Sequence, residues 1–411
     1  MKRIIFLSLI SVVIFLSNVH AQNSQSDFVI KKHIVNSAIL NQEREISIYL
    51  PENYQNTEAK YPVLYILDGQ RYFLNGVLYQ KTLKWQEKTP DFIVIGVNTD
   101  NRKRRKLFYD DSKRFIDFLN KELIPFVDKN YRTSSNRYLF GWEMAGGLLI
   151  EILAERKNNF SAYFISSPTH ITKERLHALS EKLTLIKNPA EFIYFTLSLP
   201  EDWAFESVEK LKNILEKKLS DEVRWEYQLF EDENHHSTPT LTIHKGLNAY
   251  FEDYPYLRFK TLKDFTAYGG IDQLKEHYVK RGKKYNISED IHKSTKHFLL
   301  LQSIKEDDYQ SFDLFMNEFR DYYKSKTKDI WFERYAQFYL KHDKVDKAVE
   351  ILMAGLDKFQ NSSIILGSLG DAFAKKGDIP KAKIYYQKAI ESALKNREKE
   401  IEVYKSKLEQ I

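Results

Sequence analysis

Asn136–Leu153 reads NRYLFGWEMAGGLLIEIL, and its strand, turn and helix set the architecture. RYLFG, Arg137–Gly141, is a short and nearly continuous apolar run, the pattern of a strand buried on both faces of a parallel sheet. A tight turn follows, with Gly141 before it and Gly146 and Gly147 after it, and a helix begins at once. The residue in that turn is Glu143. In an open α/β sheet a turn of this kind lies at the carboxyl end of a strand, the edge where ligands bind.

Working outward, the same pattern repeats. REISIYLP (Arg44–Pro51), YPVLYILDG (Tyr61–Gly69), FIVIGVN (Phe92–Asn98), SAYFISSP (Ser161–Pro168), EFIYFTLSLP (Glu191–Pro200) and RWEYQLF (Arg224–Phe230) read as strands. Amphipathic helical stretches separate them, among them Ser112–Tyr131 and Val208–Leu219. The alternation predicts an α/β fold with a mostly parallel sheet flanked by helices.

After Tyr256 strand signals stop and helical periodicity runs to Ile411. Ala336 and Gly370 are 34 residues apart, as are Ala348 and Ala382, and Leu352 and Tyr386. That period, with small residues at fixed places, is the tetratricopeptide pattern. A degenerate third unit is expected around His297–Tyr323 and a capping helix over Ser392–Ile411. The expected organisation is a leader over 1–21, an α/β domain over 22–256, a helical linker over 257–294 and helical repeats over 295–411.

Lys2 and Arg3, the apolar run Ile4–Leu16 and Val19-His20-Ala21 form a secretory signal peptide with cleavage expected after Ala21, which predicts a periplasmic or secreted protein. The apolar run is shorter than the ~20 residues a spanning helix needs, so no membrane span is expected after cleavage. The absence of cysteine excludes disulfides, thiolate metal sites and a cysteine nucleophile. A net charge of +6 over 411 residues, without a basic face, argues against nucleic-acid binding.

The strand–turn–helix around Glu143 is the context of a nucleophile elbow, whose pattern is Gly-x-Ser-x-Gly. Here the matching residues are Gly141, Trp142, Glu143, Met144 and Ala145. With REISIYLPENY, YPVLYILDGQRYF, ELIPFVDKNYRT, ISSP and HHSTPTLTIHKGL in the same order, the chain resembles the putative-esterase family of α/β-hydrolases, which includes esterase D-like and enterochelin-esterase-like proteins. The resemblance covers about Phe28–Tyr254. Some relatives also carry C-terminal tetratricopeptide-like repeats.

The resemblance implies a Ser-His-acid site, carried over residue by residue. His235 takes the place of the catalytic histidine, with His236 adjacent. Glu201 and Asp202 both stand just past a strand where the fold places the acid. Backbone N–H groups near Gly69, Gln70 and Met144 would form the oxyanion hole. Trp142 and Ala145 replace the family's frequent His and usual Gly.

Glu143 stands at the nucleophile position. A carboxylate has no proton to give a histidine, and it is longer than serine by two heavy atoms. Pairing with an imidazolium, or occupation of the oxyanion hole by the carboxylate itself, is the expected consequence. Other α/β-hydrolases, the haloalkane dehalogenases and epoxide hydrolases, attack with an elbow Asp, but a carboxylate attacking an ester gives an anhydride.

The basic run Asp100–Phe108 is read either as steering anionic ligands or as a solvated loop. Trp142, Trp203, Phe205 and Trp225 are pocket-lining candidates, and Thr169–Ala190 a candidate helical lid. No cofactor and no metal site is expected. Three functions fit these residues. The first is an impaired esterase homologue that binds a small ester-like or anionic ligand in its pocket and a peptide or protein through its repeats. The second is an active hydrolase using Glu143 or an unplaced nucleophile. The third is a scaffold led by the repeats.

Overall fold

Short apolar runs cannot satisfy their own backbone groups, so they pair with one another. In the computed structural model, which describes residues 30–155, 160–183, 192–219 and 223–411, they form one eight-stranded sheet in the order β1-β2-β4-β3-β5-β6-β7-β8. The strands are β1 Ile30–Ser37, β2 Gln42–Tyr49, β3 Tyr61–Leu67, β4 Ile93–Val97, β5 Thr133–Trp142, β6 Ala162–Ser166, β7 Phe192–Ser198 and β8 Arg224–Phe230. β1 pairs antiparallel with β2 and β2 with β4, and every later pairing is parallel. The expected leader over residues 1–21 lies outside the described residues.

β1 was not expected from the sequence. Its outer residues are exposed and only Val35 and Ser37 are buried, so IKKHIVNS carries little apolar signal. By contrast β3, β4, β6 and β7 are buried along their whole length.

Helices cover both faces, because each strand sends alternate side chains to opposite sides. Val63, Tyr65, Ile95, Leu139, Tyr163 and Phe195 share a core with α2 (Ser112–Phe118), α3 (Ile124–Asn130), α4 (Met144–Glu155), α5 (Lys173–Leu183) and α6 (Asp202–Lys218). The other face meets α1 (Gly69–Trp85), whose Gly76 lies against Ile66 and Val94, and α7 (Thr238–Tyr250), whose Gly246 lies against Phe164 and Tyr194. The helical run expected over Ser112–Tyr131 is interrupted by a π-helical turn at Leu119–Leu123. Pro125 lacks an N–H and its ring crowds the carbonyl four residues back, and a wider turn there relieves both.

The described residues divide into two compact units, one of residues 30–82 with 91–250 and one of residues 83–90 with 251–411. The second unit contains helices and no strand among its described residues: α8 (Leu262–Tyr268), α9 (Gly270–Tyr285), α10 (Lys293–Lys305), α11 (Tyr309–Glu318), α12 (Ile330–Lys341), α13 (Val345–Lys358), α14 (Ser363–Lys376), α15 (Ile379–Asn396) and α16 (Ile401–Glu409). Leu262, Phe265, Leu274 and Tyr278, from the stretch expected as a linker, are buried in the same core as Ala348, Leu352, Ala382 and Tyr386. The small residues sit where helices cross: Gly355 of α13 abuts the Phe332 ring of α12, and Gly370 of α14 abuts the Tyr386 ring of α15. Among the described residues no helix is long and apolar enough to cross a membrane.

Gly147 sets how closely α4 approaches the segment after β6. A Cβ there would stand 2.0 Å from the Thr169 carbonyl oxygen, a backbone atom that cannot rotate away. Gly147→Ala is expected to lower unfolding stability by about 1–3 kcal/mol, read as a reduced midpoint in chemical denaturation.

Candidate functional site

The carboxyl ends of the parallel strands gather nearly every candidate residue, as the sheet topology requires. β3 leads to Asp68 and Gly69, β4 to the loop containing Arg104, β5 to Glu143, β6 to Ser167, β7 to Glu201 and β8 to His235. Three of these, Asp68, Glu143 and Ser167, have positive φ of 54°, 56° and 42°. Each such turn costs a non-glycine residue about 1–3 kcal/mol, and packing must hold it in place.

Glu143 is held by its backbone. Its N–H donates to the Ser166 carbonyl at 3.0 Å, and its own carbonyl accepts from Thr169 N–H at 3.0 Å and Gly147 N–H at 3.1 Å. A Cβ on Gly141 would fall 2.8 Å from the Ala145 backbone, so strand and helix meet too closely for any side chain there. Ala145 itself is fully buried. Met144 is the first residue of α4, where helix geometry leaves N–H groups without an intrahelical acceptor.

The Glu143 carboxylate is bound to arginine, not histidine. Arg104 Nη1 donates to Glu143 Oε2 at 2.5 Å, while its Nε and Nη2 donate to the two oxygens of Asp68 at 3.0 and 2.9 Å. Asp68 is wholly buried and Arg104 nearly so. The guanidinium also lies 5.3 Å from the Trp142 ring and 5.9 Å from that of Phe108. Burial alone would make the guanidinium easier to deprotonate, but Asp68 and Glu143 outweigh it and hold Arg104 firmly charged. Glu143 and His235 share no hydrogen bond or ion pair among the described residues, so the pairing of Glu143 with an imidazolium expected from the sequence is replaced by this one. Arg104 belongs to the basic run Asp100–Phe108, whose reading as a solvated or ligand-steering loop is corrected at this position. The cause is Asp68: a buried carboxylate needs a paired cation, and a planar fork satisfies both its oxygens.

Of the two candidate acids, His235 pairs with Glu201. Its Nδ1 donates to Glu201 Oε1 at 2.6 Å. Glu201 Oε2 accepts from Ser198 N–H at 2.7 Å, Ser198 Oγ at 2.8 Å and Ser167 Oγ at 2.7 Å. Burial pushes the Glu201 carboxyl up, but His235, the Ser198 backbone and the two serine hydroxyls overcome that and hold it below the ordinary range. The bond at Nδ1 fixes the tautomer and leaves Nε2 as the free acceptor of the neutral ring. Among the described residues no hydroxyl hydrogen-bonds to that nitrogen. Asp202 does not reach the histidine; it is exposed and accepts from its neighbour Trp203 N–H at 2.8 Å. His236 is exposed and lies 5.3 Å from His235, ring to ring.

Trp142 braces the histidine turn. Its Nε1 donates to the His235 carbonyl at 2.9 Å, and its ring lies 4.9 Å from the His235 ring. Gln70 uses its side-chain amide to clamp Thr99, donating to its carbonyl at 2.7 Å and accepting from its N–H at 2.8 Å. Gly69 approaches Gly96 so closely that a Cβ would sit 2.5 Å from that backbone. Trp203 is exposed and meets the His235 ring edge-on at 5.7 Å, whereas Trp225 stacks on Phe195 at 5.8 Å and Phe205 packs against the core. α5, within the candidate lid, buries Leu176, Leu179 and Leu183 and anchors Arg175 on Glu151, which makes it part of the core. Residues 184–190 of that segment lie outside the described residues.

Asp68, Arg104, Ser167 and Ser198 were not singled out by sequence reasoning. The nearest signal to Arg104 was its place in a basic run after β4, which its neighbours Arg102 and Arg105 share.

A family model described as "Putative esterase" matches residues 37–253, more than half of the chain. The uncharacterised protein YbbA of Bacillus subtilis (strain 168) is 24% identical over 119 residues, covering 25% of this chain and 48% of its own. The chain therefore matches only about half the length of that relative. Among solved structures, the IroE-like serine hydrolase from Shewanella oneidensis superposes with a TM-score of 0.55 and 18% identity, over 70% of this chain and 98% of its own. An uncharacterised protein from Capnocytophaga ochracea DSM 7271 gives 0.57 and 17%, over 92% and 99%. At these identities the likeness is one of fold, and the second extends into the helical region.

Two stability measurements follow from the charge network. Arg104→Met strands a buried carboxylate and is expected to cost about 3–5 kcal/mol, with Asp68→Asn in the same chain recovering part of it. Because the folded Glu201 carboxyl lies below its unfolded value, its contribution is present above about pH 4.3 and disappears as pH falls through the folded value. Glu201→Gln is therefore expected to lose about 1–3 kcal/mol at pH 7, with the gap to wild type narrowing below about pH 4 in denaturation curves taken across that range.

Proposed function

The chain belongs to the putative esterase family, and from that premise we propose that it is an impaired esterase homologue whose pocket serves as a binding module. The observation that carries this reading is the division of the site into two separate pairs. His235 is oriented and its basic nitrogen free, as an acyl-transfer base requires. The elbow side chain that should deliver a hydroxyl to it is a carboxylate committed to Arg104.

Glu143 replaces the family's serine in this reading. A second reading makes Glu143 the nucleophile, but the arginine bonded to its carboxylate withdraws electron density from the attacking oxygen, and the product would be an anhydride. The backbone donors expected at Gln70 and Met144, with the His235 imidazole and the exposed Trp203 ring, suit a small ester-like or anionic ligand. The helical unit, read as tetratricopeptide-like repeats, takes a peptide or protein partner. A leader cleaved after Ala21 places the protein in the periplasm or outside the cell. "Serine hydrolase" describes the Shewanella protein; the residue at Glu143 is the reason it does not pass to this one.

Hydrolysis of p-nitrophenyl acetate tests the reading. Wild type is expected at the rate of the buffer blank, and Glu143→Ser at least tenfold above wild type, with that gain removed by adding His235→Ala. Turnover by wild type that Glu143→Ala abolishes would instead identify Glu143 as the nucleophile.

A further inference from the structure

Several lysines on the helical unit pair with a carboxylate: Lys275 with Glu318, Lys284 with Asp253, Lys347 with Asp313, Lys375 with Asp343, Lys376 with Asp346 and Lys407 with Asp371. Lys326, which follows the 3-10 turn Arg320–Ser325 between α11 and α12, is different. Its Nζ donates to two neutral acceptors, His297 Nδ1 at 2.9 Å and Tyr322 Oη at 2.7 Å. The Tyr322 hydroxyl gives its own proton to the Lys293 carbonyl at 2.8 Å, so its lone pair faces Lys326. The amine lies 4.3 Å from the Tyr322 ring centroid and 5.3 Å from that of Trp331, and the His297 ring meets Trp331 edge-on at 4.6 Å.

No element packed around this amine offers it a carboxylate among the described residues. α10 contributes His297 and Lys296, the latter 6.0 Å from the Tyr322 ring; α12 contributes Arg334, 4.8 Å from Trp331; and Lys358 of α13 donates to the carbonyls of Lys324 and Lys326. Of the nearby acids, Asp329 accepts from Ile330 N–H and Ser362 Oγ, and Asp321 pairs with Lys324. Half-burial in this setting lowers the Lys326 amine to about 8. Burial, with Lys326 and Arg334 alongside, lowers His297 to about 4 and keeps it a neutral acceptor.

We propose that Lys326 is a nucleophilic amine site that takes small aldehydes as covalent ligands, held in the ring box of His297, Tyr322 and Trp331. The neutral amine adds through its lone pair to the aldehyde carbon. Nζ then loses both protons, the aldehyde oxygen leaves with them as water, and a carbon–nitrogen double bond remains. A lysine used in this way has to be desolvated and free of a carboxylate partner, and this one is both.

The test uses the full chain, limiting acetaldehyde, cyanoborohydride to trap the imine, and peptide mass spectrometry to give a rate for each lysine. At pH 7 Lys326 is expected to react at least tenfold faster than Lys275 or Lys375, with a pH–rate midpoint near 8. His297→Glu, which places a carboxylate beside the amine, is expected to cut the Lys326 rate at least fivefold at pH 7 and raise its midpoint. A wild-type Lys326 rate no greater than that of Lys275, or a midpoint near the ordinary lysine value of about 10.4, overturns the proposal without recourse to any variant.

Discussion

One cation ties together three strand ends at the carboxyl edge of the sheet. Arg104, from the loop after β4, binds Asp68 after β3 and Glu143 after β5. Asp68 is wholly buried, and a buried carboxylate is tolerated only when its charge and both oxygens are satisfied. The guanidinium fork does this and still has one nitrogen for the elbow. Three neighbouring strand ends are thereby fixed relative to one another, and two of the connected residues sit at positive φ. The strained turns and the ion pairs explain each other: the turns aim the carboxylates inward, and the arginine stabilises them there.

That network also keeps Glu143 apart from the second hydrogen-bonded group at this edge, His235 and Glu201. On one side is an ordered imidazole backed by a carboxylate that four donors stabilise. On the other is an elbow residue whose charge is spent on Arg104. Electrostatics alone would allow Glu143 to attract a protonated His235. Arg104 wins because it is permanently charged and already anchored by Asp68, whereas the His235 imidazole is held through Nδ1 by Glu201.

The helical unit works by a different rule. Its helices are held by close crossing of small residues against rings, Gly355 on Phe332 and Gly370 on Tyr386, with carboxylate–lysine pairs around the outside. Against that background the site of Lys326 stands out through what surrounds it: rings and neutral acceptors in place of an acid.

Strands β2–β8, the helical C-terminal region and the position of the elbow are legible in the residues alone, because each is a local pattern: an apolar run, a helical period, a glycine-flanked turn. β1 is not, being an edge strand too exposed to carry an apolar signal. Glu201 and Asp202 are adjacent, alike in charge and indistinguishable by position; only the turn at the end of β7 sends one inward to His235 and leaves the other in solvent. Arg104 is one of several arginines in a basic run, and its partners lie 36 and 39 residues away along the chain. Which charge meets which is decided by burial and distance across strands, quantities that exist only once the sheet has formed.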